Sequence, residues 1–249
     1  MRLILVFLTI FISSKIYPIE NSYIKIGYFD IKPFSFYDEK RNKDSGIILD
    51  YLKNKIIVVK NKKVIFQQYP LSRVLSELKF NKIDAIAFLG KTPEREKEII
   101  YTKTPIYSSN SYLMLLKDSD LNEIEDIDDL RKETIGIGQN GALCNFLRQN
   151  RAKLNLEESS AENYSSVLIN KLKFNRITAA YSYLPDSLYY EAKANNFLNE
   201  IKMLLIPDNK ISVYLVFSKN FNPKYLEIIE ENLKNNNLNY KPEFEKNED

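Results

Sequence analysis

Leu78-Lys79-Phe80-Asn81-Lys82-Ile83-Asp84-Ala85-Ile86-Ala87-Phe88 is echoed further along the chain by Leu172-Lys173-Phe174-Asn175-Arg176-Ile177-Thr178-Ala179-Ala180-Tyr181-Ser182. In each copy a helix-like segment meets an Asn, which tolerates the left-handed backbone that ends a helix, and a small-residue strand follows. The interval is far longer than the roughly 20 to 50 residues of a solenoid repeat, so the same helix-turn-strand unit is expected once in each of two lobes. Chance similarity in a Lys-, Asn- and Ile-rich chain is the alternative.

Outward from the first copy, Tyr23 to Phe29 and Lys63 to Gln68 read as strands and Gly46 to Lys55 as a helix. Leu71, Val74, Leu75 and Leu78 recur at the helical period, and Ile83 to Phe88 reads as a short buried strand. Strands separated by helices predict parallel pairing and an α/β class. Ligands of open α/β sheets sit beyond the carboxyl ends of the strands, which singles out two tips, Phe88-Leu89-Gly90 and Tyr181-Ser182-Tyr183. Two further strand-like runs, Tyr112 to Leu116 and Ile211 to Phe217, stand where the chain crosses between lobes. The expected organisation is a discontinuous first lobe, residues 19–112 plus 213–249, and a second lobe, residues 113–212.

The composition narrows the chemistry. With 249 residues, 44% hydrophobic and 12% aromatic, the chain holds enough apolar material for one or two cores, which excludes wholesale disorder. There is no histidine and one cysteine, Cys144, so a histidine base, a Cys/His pair and a zinc cluster are all excluded. Cys144 reads as a small buried apolar residue. No cofactor is expected. Carboxylates, Arg, Tyr and backbone must do the work.

Residues 1–18 read as a secretory signal peptide: Arg2, the apolar run Leu3 to Ile12, then Ser13 and Ser14. The run is shorter than the roughly 20 residues that span a bilayer; an uncleaved anchor is the alternative. Loss of Arg2 and Lys15 takes the net charge from +3 to +1, which argues against a nucleic-acid partner.

The run Gln68-Tyr69-Pro70-Leu71-Ser72-Arg73, then Lys91-Thr92-Pro93-Glu94-Arg95-Glu96, then Thr104-Pro105-Ile106-Tyr107, resembles the family 3 extracellular solute-binding proteins. The resemblance takes in Ile26-Gly27, Pro33-Phe34, Asp128-Asp129-Leu130, Ile135-Gly136-Ile137 and Val213-Tyr214 as well, almost the whole chain after the signal. It implies a two-lobe type II periplasmic binding protein fold with two crossover segments. It also implies a periplasmic receptor, a monomer, that passes a small anionic or zwitterionic solute to an ABC-transporter permease after hinge closure.

The residues agree with that implication. An Arg on a turn just past a strand tip holds a carboxylate bidentately, and the family's matching Arg clamps the ligand α-carboxylate, so Arg95 is the leading candidate, with Thr92 beside it. A surface pair with Glu94, Glu96 or Glu98 is the bland reading. Phe34, Phe88 and Gly90 are the other first-lobe candidates. From the second lobe come Asn140 and Gly141, in a turn leading to a helix expected near Ala142 whose free N–H groups would face the cleft. A plain tight turn is the alternative there.

The departures matter too. The Asp that holds the ligand ammonium in amino-acid receptors falls here on Tyr183, with Asp186 a displaced substitute. That leaves an organic acid, a modified amino acid or a short peptide open as solute. Two rivals remain: a cyclohexadienyl dehydratase-like enzyme using Glu162 or Asp186 as its acid, and a sensory module without transport. The acidic run Asp118 to Asp129 lacks a calcium-loop order and reads as a solvated face. The tail after Glu230 is expected to begin as a helix and then fray.

Overall fold

The computed structural model describes residues 22–247. The signal-peptide reading lies outside the described residues. Thirteen strands appear among them. In chain order they are β1 (Tyr23–Tyr28), β2 (Phe36–Asp38), β3 (Lys43–Ser45), β4 (Lys63–Gln68), β5 (Ala85–Gly90), β6 (Ile100–Tyr101), β7 (Tyr107–Ser109), β8 (Tyr112–Leu116), β9 (Thr134–Gly138), β10 (Asn155–Ser159), β11 (Ala179–Tyr181), β12 (Ile201–Leu205) and β13 (Ile211–Phe217). The α-helices are α1 (Ile47–Tyr51), α2 (Leu71–Lys79), α3 (Pro93–Glu96), α4 (Asn145–Gln149), α5 (Tyr164–Lys173), α6 (Pro185–Ala194) and α7 (Pro223–Asn235).

The strands make two mixed sheets and a small hairpin, β2–β3. The first sheet has the order β4-β1-β5-β13-β6, with β7 also on β13; the second has the order β10-β9-β11-β8-β12. Parallel pairing holds where helices intervene, as in β1 with β4 and β5, and β9 with β10 and β11. The strands that border the crossings pair antiparallel instead: β13 on β5, and β8 on β11 and β12. Each sheet thus holds one interior strand, β13 or β8, that runs against its βα units.

The two echoed segments take up the same local structure. Helix α2 runs to Lys79 and Asn81 adopts φ 55; helix α5 runs to Lys173 and Asn175 adopts φ 53. An all-buried strand follows each, Ala85–Gly90 and Ala179–Tyr181. Asn is one of the few residues that enter the left-handed region at small cost, which is why both helices stop there. The amphipathic spacing also holds: Val74 and Leu78 of α2 are fully buried against the first sheet.

The apolar core is not two separate bodies. One cluster runs from Ile26, Phe88 and Val216 in the first sheet to Leu168, Leu172 and Leu188 on the helices of the second. The far face of the second sheet has its own cluster, including Leu115, Ile137, Cys144 and Leu147. Cys144 is a buried free thiol, as read from the sequence.

The tail departs from expectation. Helix α7 ends at Asn235, and the following segment packs rather than frays: Tyr240 meets Phe34 and Tyr107 edge to face, and Phe244 packs edge-on against Tyr112 and at a tilt against Tyr189. Two aromatic rings supply enough apolar area to hold an otherwise polar tail. Lys193 on α6 pairs with Glu243 at 2.6 Å.

Candidate functional site

The first strand tip ends in a built turn. Thr92 Oγ1 accepts the N–H of Arg95 at 3.3 Å, and Pro93 occupies the first position of the one-turn helix α3. Thr as cap and Pro at the first helical position are both favoured there, so Thr-Pro-Glu-Arg folds locally and aims the Arg back at the tip. Arg95 makes no carboxylate pair among the described residues; Glu98 pairs with Lys79 instead.

Its guanidinium spans the seam between the two sheets. Nη1 donates to the carbonyl of Gly90, at the end of β5, at 3.0 Å, and Nη2 donates to the carbonyl of Asn140, beyond β9, at 2.5 Å. Tyr101 Oη donates to the same Gly90 carbonyl at 3.0 Å. Burial pulls the Arg95 pKa below its usual value and pushes Tyr101 and Tyr183 up to about 12. A cation is therefore drawn from water and met only by neutral oxygens.

From the second sheet, Asn140 sits at φ 58, which turns its carbonyl toward Arg95, and the Gly141 N–H closes a tight turn on the Gly138 carbonyl at 2.9 Å. The helix expected near Ala142 instead begins at Asn145 and has five residues. Its start is not free. The Cys144 N–H donates to Tyr181 Oη at 2.9 Å and the Phe146 N–H to Asp208 Oδ2 at 2.7 Å. The reason is burial: Leu143 and Cys144 are drawn into the second sheet's core and Ala142 is buried at the seam beside Gly90, and that holds the chain extended.

Tyr183 closes the seam from the second-sheet tip. A methyl group built on Gly90 would lie 2.6 Å from the Tyr183 ring and 2.9 Å from Ala142 Cβ, so the ring rests directly on the Gly90 backbone. What remains over Arg95 is a cavity of about 30 Å³ walled by Ile31, Leu71, Phe88, Gly141 and Tyr183. That is about one water's share of liquid volume, too little for an amino acid. The open cleft implied by the resemblance is shut in this conformation.

Of the remaining candidates, Phe88 lines that cavity, but Phe34 is fully buried behind it, 6.4 Å from the Phe88 ring and 5.5 Å from Tyr107. Asp186 does not reach Arg95's cavity. It is buried, accepts the Tyr107 hydroxyl at 3.3 Å and the Tyr240 hydroxyl at 2.8 Å, and burial pushes its pKa up to about 6. Glu162 lies at another edge, where Gln68 donates to it at 2.7 Å beside a cavity of about 630 Å³ that also takes in Asp30 and Asp44. Neither proposed catalytic acid shares the space over Arg95. Sequence reasoning missed Tyr101 and Asp30, whose pKa burial raises to about 6; an isolated Tyr on a two-residue strand and an Asp after β1 carry no motif.

Comparison with known families gives a match to the bacterial extracellular solute-binding proteins, family 3, over residues 24–244. The chain belongs to that family. No curated protein matches. Among solved structures, a histidine kinase sensor domain with similarity to periplasmic binding proteins superposes at a TM-score of 0.71, with 17% identity over 85% of this chain and 89% of that one. An ancestral arginine-binding protein bound to glutamine gives 0.70, with 20% identity over 87% and 92%. An amino acid ABC transporter substrate-binding protein from Streptococcus pneumoniae bound to L-arginine gives 0.70, with 17% identity over 86% and 88%. At those identities the likeness establishes the periplasmic binding protein fold. As a family 3 member the chain is a solute-binding protein.

Proposed function

We propose that the protein is a periplasmic receptor for a small carboxylate-bearing solute, that its two sheets are the cores of two lobes, and that it works by hinge closure. The observation that carries this reading is Arg95: a cation at the seam, pulled from water, bridging one carbonyl from each sheet and in ion-pair contact with no carboxylate among the described residues. A carboxylate would replace the Asn140 carbonyl with a bidentate pair in which both partners are charged. The lobes would part along the seam, turning on the crossings β7–β8 and β12–β13. Ligand then selects the closed form by its greater affinity for it. The family and the transporter protein among its structural neighbours support delivery to an ABC permease. No reaction on the solute is proposed, since Glu162 and Asp186 stand apart from the space over Arg95.

A thermal-shift screen of amino acids, organic acids and short peptides tests the reading. The correct solute at about 100 times its dissociation constant adds about 2.7 kcal/mol, and Arg95→Ala should abolish that shift while leaving the unliganded melt nearly unchanged. A bare Arg95→Ala protein that loses several kcal/mol would show the Arg to be structural.

The histidine kinase sensor domain among the structural neighbours favours one second reading, ligand sensing without transport. Solute uptake that survives loss of the gene, with binding intact in the purified protein, would favour it.

A further inference from the structure

The space at the seam that suits an organic molecule lies beyond Tyr183 from the small cavity, a pocket of about 290 Å³. Its walls come from both sheets and from a crossing: the turn after β5, the start of α4, and residues 208–212 leading into β13. Three cations border it, Lys91, Arg148 and Lys210. Lys91 Nζ stands 4.1 Å from the centre of the Tyr214 ring and 5.6 Å from that of Tyr101. A cation held over two rings is preorganised, at the cost of little further ordering when an anion arrives. None of the three cations pairs with a carboxylate among the described residues, and Arg148 donates only to its neighbour Asn145.

The two carboxylates at the same rim do not cancel them. Asp208 is already spent on backbone: Oδ2 accepts the Phe146 N–H and Oδ1 the Asn209 N–H, each at 2.7 Å. Glu96 is exposed and is the only other acid bordering the pocket. The idle groups are donors and the engaged groups are acceptors, which is the polarity of an anion site.

We infer that this pocket takes a small multivalent organic anion, a di- or tricarboxylate, held by Lys91 from one sheet, Arg148 from the other and Lys210 from the crossing. The inference goes beyond the receptor reading: Arg95 borders the small cavity and not this pocket, so the pocket is a second anion site at the same seam. A basic amino acid is disfavoured here, since three cations would repel its side chain.

Calorimetric titration of the full chain with citrate, succinate, inorganic phosphate and L-arginine tests it. Citrate or succinate should bind with an affinity that falls as salt rises. The combined Lys91→Gln, Arg148→Gln, Lys210→Gln variant should weaken binding by roughly tenfold or more without moving the unliganded melt. Lys210→Gln alone serves as a second variant, since Lys210 is exposed, and it should show a partial loss. Full affinity in the triple variant overturns the inference while leaving the receptor reading intact, as does binding of L-arginine in preference to the carboxylates. Phosphate binding as tightly as citrate overturns the organic part of it. No binding of any carboxylate, here or in the wider screen, overturns both.

Discussion

At Gly90 the missing side chain is what lets the seam shut, because a methyl group there would press on the Tyr183 ring and on Ala142 at less than 3 Å. Gly90→Ala should wedge the two sheets apart. Overpacking of this kind costs about 1 to 3 kcal/mol, and small-angle scattering should show a larger radius of gyration than for the parent chain. An unchanged radius would mean that Tyr183 swings aside. Asp186 gives a second test, in pH. Its folded pKa of about 6 lies above the usual 3.8, so the native state binds the proton more tightly than the unfolded chain. The penalty for a charged Asp186 is then present in full above pH 6 and relieved as pH falls toward 4, which makes stability rise on acidification across that window. Asp186→Asn should flatten that limb in denaturant titrations at a series of pH values, and the parent and variant curves should differ by roughly 3 kcal/mol between its ends. Arg95 was legible because its own turn is written beside it, Thr as cap and Pro as first helical residue. Phe34 was not: a Pro-Phe pair reads the same whether the ring lines a cleft or supports Phe88 from behind. Only the packing of Tyr107 and Tyr240 decides it.

Among elements, those with strong periodicity were readable and those set by distant partners were not. The strand Lys63–Gln68 and the helix after it follow from the pattern alone, and the next strand, read as Ile83 to Phe88, lies two residues further on at Ala85–Gly90. The short α4 does not, because what holds the chain extended before it is the burial of Leu143 and Cys144 against residues of other strands, Tyr181 among them. The tail is the clearest such case. Between Asn236 and Glu245 it crosses from α7 to α6 and binds there through Tyr240, Glu243 and Phe244. A chain ending at Asn236 should lose roughly 2 to 5 kcal/mol, from a hydrogen bond to a charged group and two aromatic contacts. Equilibrium unfolding measures it, and a tail that hangs free would leave the midpoint unmoved.

For the whole molecule, the order of elements predicted two α/β units and parallel pairing within each. It did not show how tightly they press together, since nothing local in Gly90, Ala142 or Tyr183 says that they meet. The described crossings are bound to one another: the Ile206 N–H donates to the Ser111 carbonyl at 2.9 Å, and the hydroxyls of Ser108 and Ser212 lie 2.7 Å apart. The position of β13 carries a further consequence. It fills the middle of the first sheet, between β5 and β6, yet every strand of the second sheet precedes it in the chain. As the polypeptide leaves the ribosome or emerges from a translocation pore, the second sheet is complete while the first still lacks its central strand. The half that carries Arg95 must wait, partly assembled, until β13 follows the other half out.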